Sequence, residues 1–296
     1  MGAPPEDGEF QKPAGEGVPS FLELGRLLSS TQRIDRDEET DEDLALIFTP
    51  GSSLGGARPK ASVMDVSGAL AIAKFPKETD EYSIETWEHI ALKLAEGAGI
   101  RVPRQELQAI LNKPVLLSWR FDRKGRVRIP FLSALSMLQL SDGERASYPE
   151  IVDELSRHGA NARADAAELF RRMVFTILIS NVDDHLRNHG FLWAGKAGWQ
   201  LSPAYDLNPT PQDLKARILT TNISLDEGTC SLDLALSQAM LFGLGLGEAK
   251  AIAREVGSAV AAWRDVARHA GQTTSPVDRM ASAFEHEDLR HACKLS

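Results

Sequence analysis

The stretch that most constrains this chain is an apolar helix that runs straight into a row of oxygen-bearing side chains. Between Ala162 and Ser180, apolar residues recur at helical spacing: Ala166, Leu169, Phe170, Met173, Val174, Ile177 and Leu178. The run stops against Asn181-Val182-Asp183-Asp184-His185-Leu186-Arg187-Asn188. A hairpin-like segment follows, with strands at Gly190–Trp193 and Trp199–Leu201 and a turn at Gly195–Gly198, and then Ser202-Pro203-Ala204-Tyr205-Asp206. A helix anchored in a core delivers such a loop in a fixed place, so its carboxylates and amides could act together. Asp and Asn are also common turn residues, and the same stretch reads equally as a polar connector.

Composition narrows the classes. At 296 residues the chain allows one large domain or a two-lobed one with an ample core. No apolar run reaches the length of a membrane span. Met1 to Gly17 is rich in Pro, Gly and Glu, carries no secretion pattern, and is expected to be disordered. Cys230 and Cys293 lie in no metal-like or disulfide-framework spacing, which fits a reducing cytoplasm. A net charge of −9 argues against broad binding to a phosphate backbone. The basic cluster Arg120, Arg123, Lys124, Arg126 and Arg128 reads as a patch for an acidic partner or as a solvated hairpin turn at Lys124-Gly125.

The first half reads as strands around one helix. Phe21 to Leu28 is a short amphipathic segment, and Arg33 to Asp43 a charge-dense connector. Leu44 to Phe48 then reads as a buried strand ended by Pro50-Gly51. Gly51 to Lys60 is rich in Gly and Ser but fits no P-loop, since Ala57 stands where Lys is required. It is either a flexible hairpin loop or a segment whose backbone approaches phosphate closely. Ala61–Val66 and Ala69–Phe75 form an expected hairpin turning at Ser67-Gly68, and its second strand ends in Lys74. The helix expected over Ile84 to Glu96 offers Lys74 two partners, Glu88 and, one turn away, Glu85. Val115 to Arg123 is an apolar strand running into the basic turn, with Trp119 and Phe121 either in a core or at a hinge. After Pro130 the pattern is helical: Ser231 to Leu241, Glu248 to His269, and a final polar segment.

Asp183 and Asn188 stand as D-x-x-x-x-N, the spacing of a protein-kinase catalytic loop. There the Asp accepts the proton of the attacking hydroxyl and the Asn binds a metal ion. Asp206 is placed for the second metal ligand. The order Gly-rich loop, strand Lys, helix Glu, hinge strand, D-x-x-x-x-N and metal Asp is far more specific than any one motif.

In wording, the chain resembles the HipA family of serine/threonine kinases, the toxins of bacterial toxin–antitoxin systems. The resemblance is carried by Ser53 to Lys60, Ile72 to Pro76, Ala98-Gly99-Ile100 through Pro103, Arg120-Phe121-Asp122-Arg123, Asp183 to Asn188 and Tyr205-Asp206. It implies an α+β, two-lobed, protein-kinase-like fold with a β-rich N-lobe and a mostly helical C-lobe. The expected divisions are a largely polar segment 1–43, an N-lobe 44–125 and a C-lobe 126–296. It also implies ATP and Mg²⁺ as cofactors, Asp183 as base with His185 beside it, and Asn188 and Asp206 as metal and nucleotide ligands. Lys74, held by Glu88, becomes the phosphate lysine, with Ser53, Gly55 and Gly56 around the phosphates and Trp119 and Phe121 at the adenine. Ser53, or its neighbour Ser52, matches the loop Ser that family members autophosphorylate, silencing the kinase.

Two departures stand out. Trp119 occupies a hinge position where the family often has Glu. Full-length members also carry a further N-terminal subdomain of about a hundred residues, where this chain has about forty before Leu44. That resembles the short HipT form, in which a small HipS-like protein supplies the missing part and a HipB-like protein is the DNA-binding antitoxin. The implied substrate is a protein of translation, an aminoacyl-tRNA synthetase in particular, with no direct nucleic-acid contact and no membrane. The rivals are a kinase-like scaffold for a DNA-binding antitoxin, a small-molecule kinase, and a metallohydrolase using Asp183, Asp184, His185 and His189. The last has no Glu between its histidines to serve as base.

Overall fold

The computed structural model describes residues 18–47, 58–125 and 127–296. The chain divides into two compact units, Met1–His89 with Pro103–Ile129, and Ile90–Val102 with Pro130–Ser296.

The first unit is built on a four-stranded antiparallel sheet with β1 (Lys60–Met64), β2 (Leu70–Lys74), β4 (Lys113–Trp119) and β3 (Gln105–Ile110) in that spatial order. The β1–β2 turn forms because the Asp65 side chain accepts from the backbone N–H groups of Ser67 and Ala69, both at 2.9 Å, while Gly68 takes φ +82°. Along β2, Ala71 and Ala73 are buried on one face, and Ile72 and Lys74 point to the other. The alanine face packs with Val63, Val115 and Leu117 against Leu24, Leu27 and Leu28 of helix α1 (Leu24–Asp35).

The strand expected at Leu44–Phe48 is not formed. Asp41–Ile47 is helix α2, and Phe48 lies outside the described residues. The reason lies just upstream. Thr40 N–H donates to the Asp43 carboxylate at 3.0 Å, Asp43 N–H reaches back to Thr40 Oγ1 at 3.3 Å, and three acidic residues fill the first turn. These are helix-start features that outweigh a short apolar run. Asp43 also accepts from Ser30 at 2.6 Å and from Arg33 Nε at 2.8 Å, which ties α2 to α1.

Helix α3 (Ile84–Gly97) starts in the first unit and ends in the second. The basic cluster after β4 is a hairpin of β5 (Arg123–Lys124) and β6 (Val127–Arg128), with Gly125 at φ +59°. Asp122, buried, accepts from Arg120 at 2.8 and 2.6 Å and from Arg123 at 2.5 Å, so the motif residues fix the turn.

The second unit is mostly helical. A three-stranded antiparallel sheet of β7 (Phe131–Ser133), β8 (Gly190–Trp193) and β9 (Trp199–Leu201) stands beside the helices. The short α4 (Ala134–Met137) leads to α5 (Tyr148–His158), whose N-terminus carries a reciprocal Ser147/Glu150 capping box and Pro149 in its first turn. Helix α6 (Ala162–Leu178) buries residues on nearly every side over its second half, as the dense apolar pattern demands. Two expected helices are interrupted: Leu232–Ser237 (α7) gives way to a 3₁₀ turn, Ala239–Phe242, and Leu246–Ala261 (α8) is followed by Trp263–His269 (α9). Gly257 of α8 sits where a Cβ would lie 2.7 Å from that of Ala292, so a glycine is what permits this approach. The C-terminal stretch, read from sequence as a polar segment, is three short helices: α10 (Thr274–Arg279), α11 (Ala281–Phe284) and α12 (Glu287–Ala292). Met280, Ala283 and Phe284 are fully buried, with the Phe284 ring stacked on Trp263 at 4.6 Å. No helix among the described residues is long and apolar enough to cross a membrane.

Candidate active site

In the first unit, Lys74 projects from the face of β2 opposite the core, and Glu88 of α3 meets it. Lys74 Nζ donates to both carboxylate oxygens, at 2.6 and 2.7 Å, and the pair is largely buried. Glu85 is buried one turn away but is taken by Arg58, which donates to it at 2.8 Å. The choice left open in the sequence thus falls to Glu88. A shielded ammonium held by a carboxylate is oriented.

Trp119 is placed differently from a residue open to a ligand. Its backbone N–H donates to Arg104 O at 2.9 Å, its indole Nε1–H to Asp65 at 2.8 Å, and the Arg104 guanidinium lies 3.9 Å above the ring. Trp119 therefore serves the core of this unit. Phe121 is half-buried at the start of the turn. Ser52, Ser53, Gly55 and Gly56 lie outside the described residues.

In the second unit the loop after α6 has a defined shape. Ser180 ends the helix at φ +52°, an unusual backbone for Ser. Three groups hold that bend: Ser180 Oγ donates to Ala283 O at 2.8 Å, Arg217 reaches Ser180 Oγ at 3.0 Å and Ile177 O at 2.9 Å, and His286 Nε2 lies 3.1 Å from Leu178 O. Asp183 is then exposed. His185 N–H donates to Asp183 O at 2.9 Å, and Asn188 Nδ2 donates to the same carbonyl at 3.1 Å. With its NH₂ engaged there, the Asn188 amide turns its Oδ1 away as an acceptor. The His185 ring is half-buried, and its Nδ1 has no hydrogen-bond partner among the described residues.

Asp206 sits at φ +59°, a strained position for Asp that is held by its neighbours on both sides. Tyr205 OH donates to Arg187 O at 2.7 Å; its burial, and then the Asp206 charge beside it, raise its pKa and keep it a donor. Asn208 N–H donates to Asn181 Oδ1 at 3.3 Å, and Asn208 Nδ2 to Asp206 Oδ1 at 3.2 Å. Both flanks of Asp206 are thus bonded to the loop that carries Asp183. Upstream, Asp165 and Arg172 of α6 fix the approach: Leu201 N–H donates to Asp165 at 2.9 Å, and Arg172 to Ser202 O at 2.7 Å. One helix therefore positions both loops.

The donors in this unit fit a magnesium ion that arrives with phosphate. Asn188 Oδ1 and the Asp206 carboxylate are hard oxygens, and Mg²⁺ takes one or two protein carboxylate or carbonyl groups and keeps waters and phosphates for the rest. No cluster of three or more His, Cys, Asp or Glu among the described residues forms a self-sufficient metal cage. His189 is not part of a histidine pair for zinc; its ring packs on Tyr148 at 5.1 Å and lies beside Asp184.

Several residues here have no signature in the sequence. Asp165, Arg172, Asn181, Asn208 and Arg217 act through partners distant in the chain. The hint for Arg172 is that an Arg stands among apolar residues in the buried half of α6.

Comparison with known proteins bears on the family and the fold. A family model for the HipA-like C-terminal domain matches residues 52–264. A "Putative kinase" of Haemophilus influenzae is 24% identical over 164 residues, covering 49% of this chain and 48% of its own length. "Putative kinase Y4dM" of Sinorhizobium fredii is 30% identical over 160 residues, covering 49% of this chain and 38% of its own. The chain thus spans less than half the length of the curated relatives it matches. Among solved structures, HipA of Shewanella oneidensis, determined with HipB and its operator DNA, matches with a TM-score of 0.71 at 17% identity, over 96% of this chain and 73% of that one. The Helicobacter pylori proinflammatory kinase CtkA matches with a TM-score of 0.52 at 16% identity, over 84% and 96%. These two carry the α+β kinase-like fold, and the family model carries the membership: the chain belongs to the HipA-like C-terminal domain family.

Proposed function

We propose that the protein is an ATP-dependent serine/threonine protein kinase and the toxin of a toxin–antitoxin pair. The observation that carries the reading is the loop geometry: an exposed Asp183 whose carbonyl fixes Asn188, with Asp206 bonded on both flanks to the same loop. Lys74, oriented by Glu88, would bind ATP phosphates. Asn188 Oδ1 and the Asp206 carboxylate would hold Mg²⁺, which when bound neutralises phosphate charge. Asp183 would orient the acceptor hydroxyl and take its proton. Transfer of this kind needs little covalent help; positioning and charge neutralisation supply most of the acceleration.

The test is phosphoryl transfer from ATP with Mg²⁺ to a protein acceptor, beside Asp183→Gln. Transfer should fall by about 10³-fold or more, while the nucleotide-dependent rise in melting temperature stays. A variant that still transfers would remove Asp183 as base. If the wild-type chain binds ATP and never transfers, the scaffold reading gains.

The finer reading extends to regulation and partners. Autophosphorylation on Ser53 or Ser52 would add charge where the nucleotide's own phosphates must sit, so the phosphorylated chain should bind ATP more weakly. The Shewanella relative was solved with HipB and DNA, which supports a HipB-like antitoxin as partner here. Co-expression with the neighbouring gene products, followed by size exclusion, tests that partner and a small HipS-like protein together. For the substrate we propose a translation protein such as an aminoacyl-tRNA synthetase. Phosphosite mapping after induction tests this.

A further inference from the structure

Immediately behind the proposed base lies a buried polar cluster that the reaction itself does not use. Asp184 is 2% exposed, whereas Asp183 beside it faces solvent. Tyr148, at the start of α5 and fully buried, donates its hydroxyl to Asp184 Oδ2 in a short hydrogen bond. Burial and the Asp184 charge raise the Tyr148 pKa well above its ordinary value, so the phenol stays protonated and donates. His189 Nε2 lies 3.2 Å from Asp184 Oδ1, off the line of a good hydrogen bond. The main chain is pinned as well: Thr221 donates to Asp184 O through its N–H at 3.0 Å and its Oγ1 at 2.6 Å. Thr220 Oγ1 donates to Val182 O at 3.0 Å. The residues on both sides of Asp183 are thus bonded to other elements, while its own carboxylate has no hydrogen bond among the described residues.

A carboxylate in such a place incurs a desolvation cost that its hydrogen bonds must offset, and a hydrophobic residue would fill the space without that cost. Its chemistry must therefore be useful here. We infer that Asp184 is the positioning residue of the site: its carboxylate on Tyr148, together with the Thr221 bonds to its main-chain carbonyl, holds the loop backbone so that Asp183 is presented in one orientation. The inference rests on the kinase reading for its catalytic consequence. Its structural part stands alone, because the clamp is made within one unit. Displacing a reacting group by about 1 Å can cost 10²-fold in rate without weakening binding. The effect should therefore fall on kcat.

The experiment compares wild type, Asp184→Asn and Tyr148→Phe in two readouts. The first is kcat and KM for ATP in phosphoryl transfer. Asp184→Asn should lower kcat by about 10- to 100-fold and Tyr148→Phe by less, with KM for ATP unchanged in both. The second is amide hydrogen exchange over residues 181–189, which should speed up in both variants relative to α6, with the rest of the unit unchanged. Tyr148→Phe removes one hydroxyl and keeps the packing, so it decides the matter should Asp184→Asn not fold. Unchanged kcat with unchanged exchange in the loop would overturn the inference, and so would a rise in KM at constant kcat. If no variant, wild type included, transfers phosphate, the kinase reading fails on that readout, and exchange in the loop alone decides for or against the clamp.

Discussion

Asp183 and Asp184 are neighbours with opposite environments, and that contrast sets what each can do. The exposed carboxylate can meet a substrate hydroxyl; the buried one can only hold the loop. Lys74 and Glu88 show the same division across two elements, one group presented and one supporting. Glu88→Ala should raise the dissociation constant for ATP by about tenfold or more, since it leaves the ammonium without the carboxylate that orients it. Because a largely buried cation would then lose this carboxylate, stability should also fall, by about 3 kcal/mol. Calorimetric titration with ATP and a urea melt check the two effects separately. At this scale the sequence was informative where residues close in the chain share one loop, as for Asp183 and Asn188, whose amide meets the Asp183 carbonyl. It left Glu85 and Glu88 both open because they lie about one helical turn apart and both are buried. Only Arg58, which takes Glu85 from a distance of 27 residues, separates them. Asp184 entered only the metallohydrolase reading, and its supporting role gave no signal because its Tyr148 partner is 36 residues upstream.

Among the elements, α6 governs the candidate site, holding the Asp183 loop by its C-terminus and the Asp206 loop through Asp165 and Arg172. Arg172 is buried and donates to Glu168 at 2.8 Å as well as to Ser202 O. Glu168→Ala should therefore destabilise the fold by about 3 kcal/mol in a chemical melt by removing the carboxylate to which that buried guanidinium donates. Beneath the end of α6, His286 takes a neutral form: its Nδ1 accepts from Leu289 N–H at 3.4 Å while Nε2 faces Leu178 O. Burial, and then the positive charge of Arg217, push its pKa down to about 4. The unfolded chain takes up this proton more readily, so the contribution is full above about pH 6.5 and is lost as pH falls toward 4. His286→Gln should flatten the pH dependence of the melting temperature between those values; an unchanged slope would count against it. The long pattern of α6 was legible because 17 residues give several helical turns. The three C-terminal helices, of six, four and six residues, are each too short to show a period, which is why the buried Phe284 of α11 and Met280 just before it have no pattern in the sequence. The opposite error occurred at α2, where a few apolar residues outweighed the Thr40–Asp43 capping pair upstream.

Over the whole molecule, the order of parts carried more than any local pattern. Sheet lysine, helix glutamate, D-x-x-x-x-N and downstream Asp come in one sequence, and the family match over residues 52–264 agrees with it. Each unit is stabilised by its own core, yet the chemistry proposed needs groups from both, so substitutions in either should abolish the same activity. Lys74→Met in the first unit and Asp206→Ala in the second should both remove phosphoryl transfer, and Lys74→Met should in addition lower the melting temperature, because it leaves the buried Glu88 carboxylate without the ammonium. The most direct measurement is intact-protein mass spectrometry of the purified chain before and after ATP with Mg²⁺, with Asp183→Gln alongside. A phosphate-sized gain in the wild type, mapped to Ser52 or Ser53 and absent from the variant, is the predicted result. A gain of the same size in Asp183→Gln, or none in the wild type while a supplied acceptor also stays unmodified, would contradict the account.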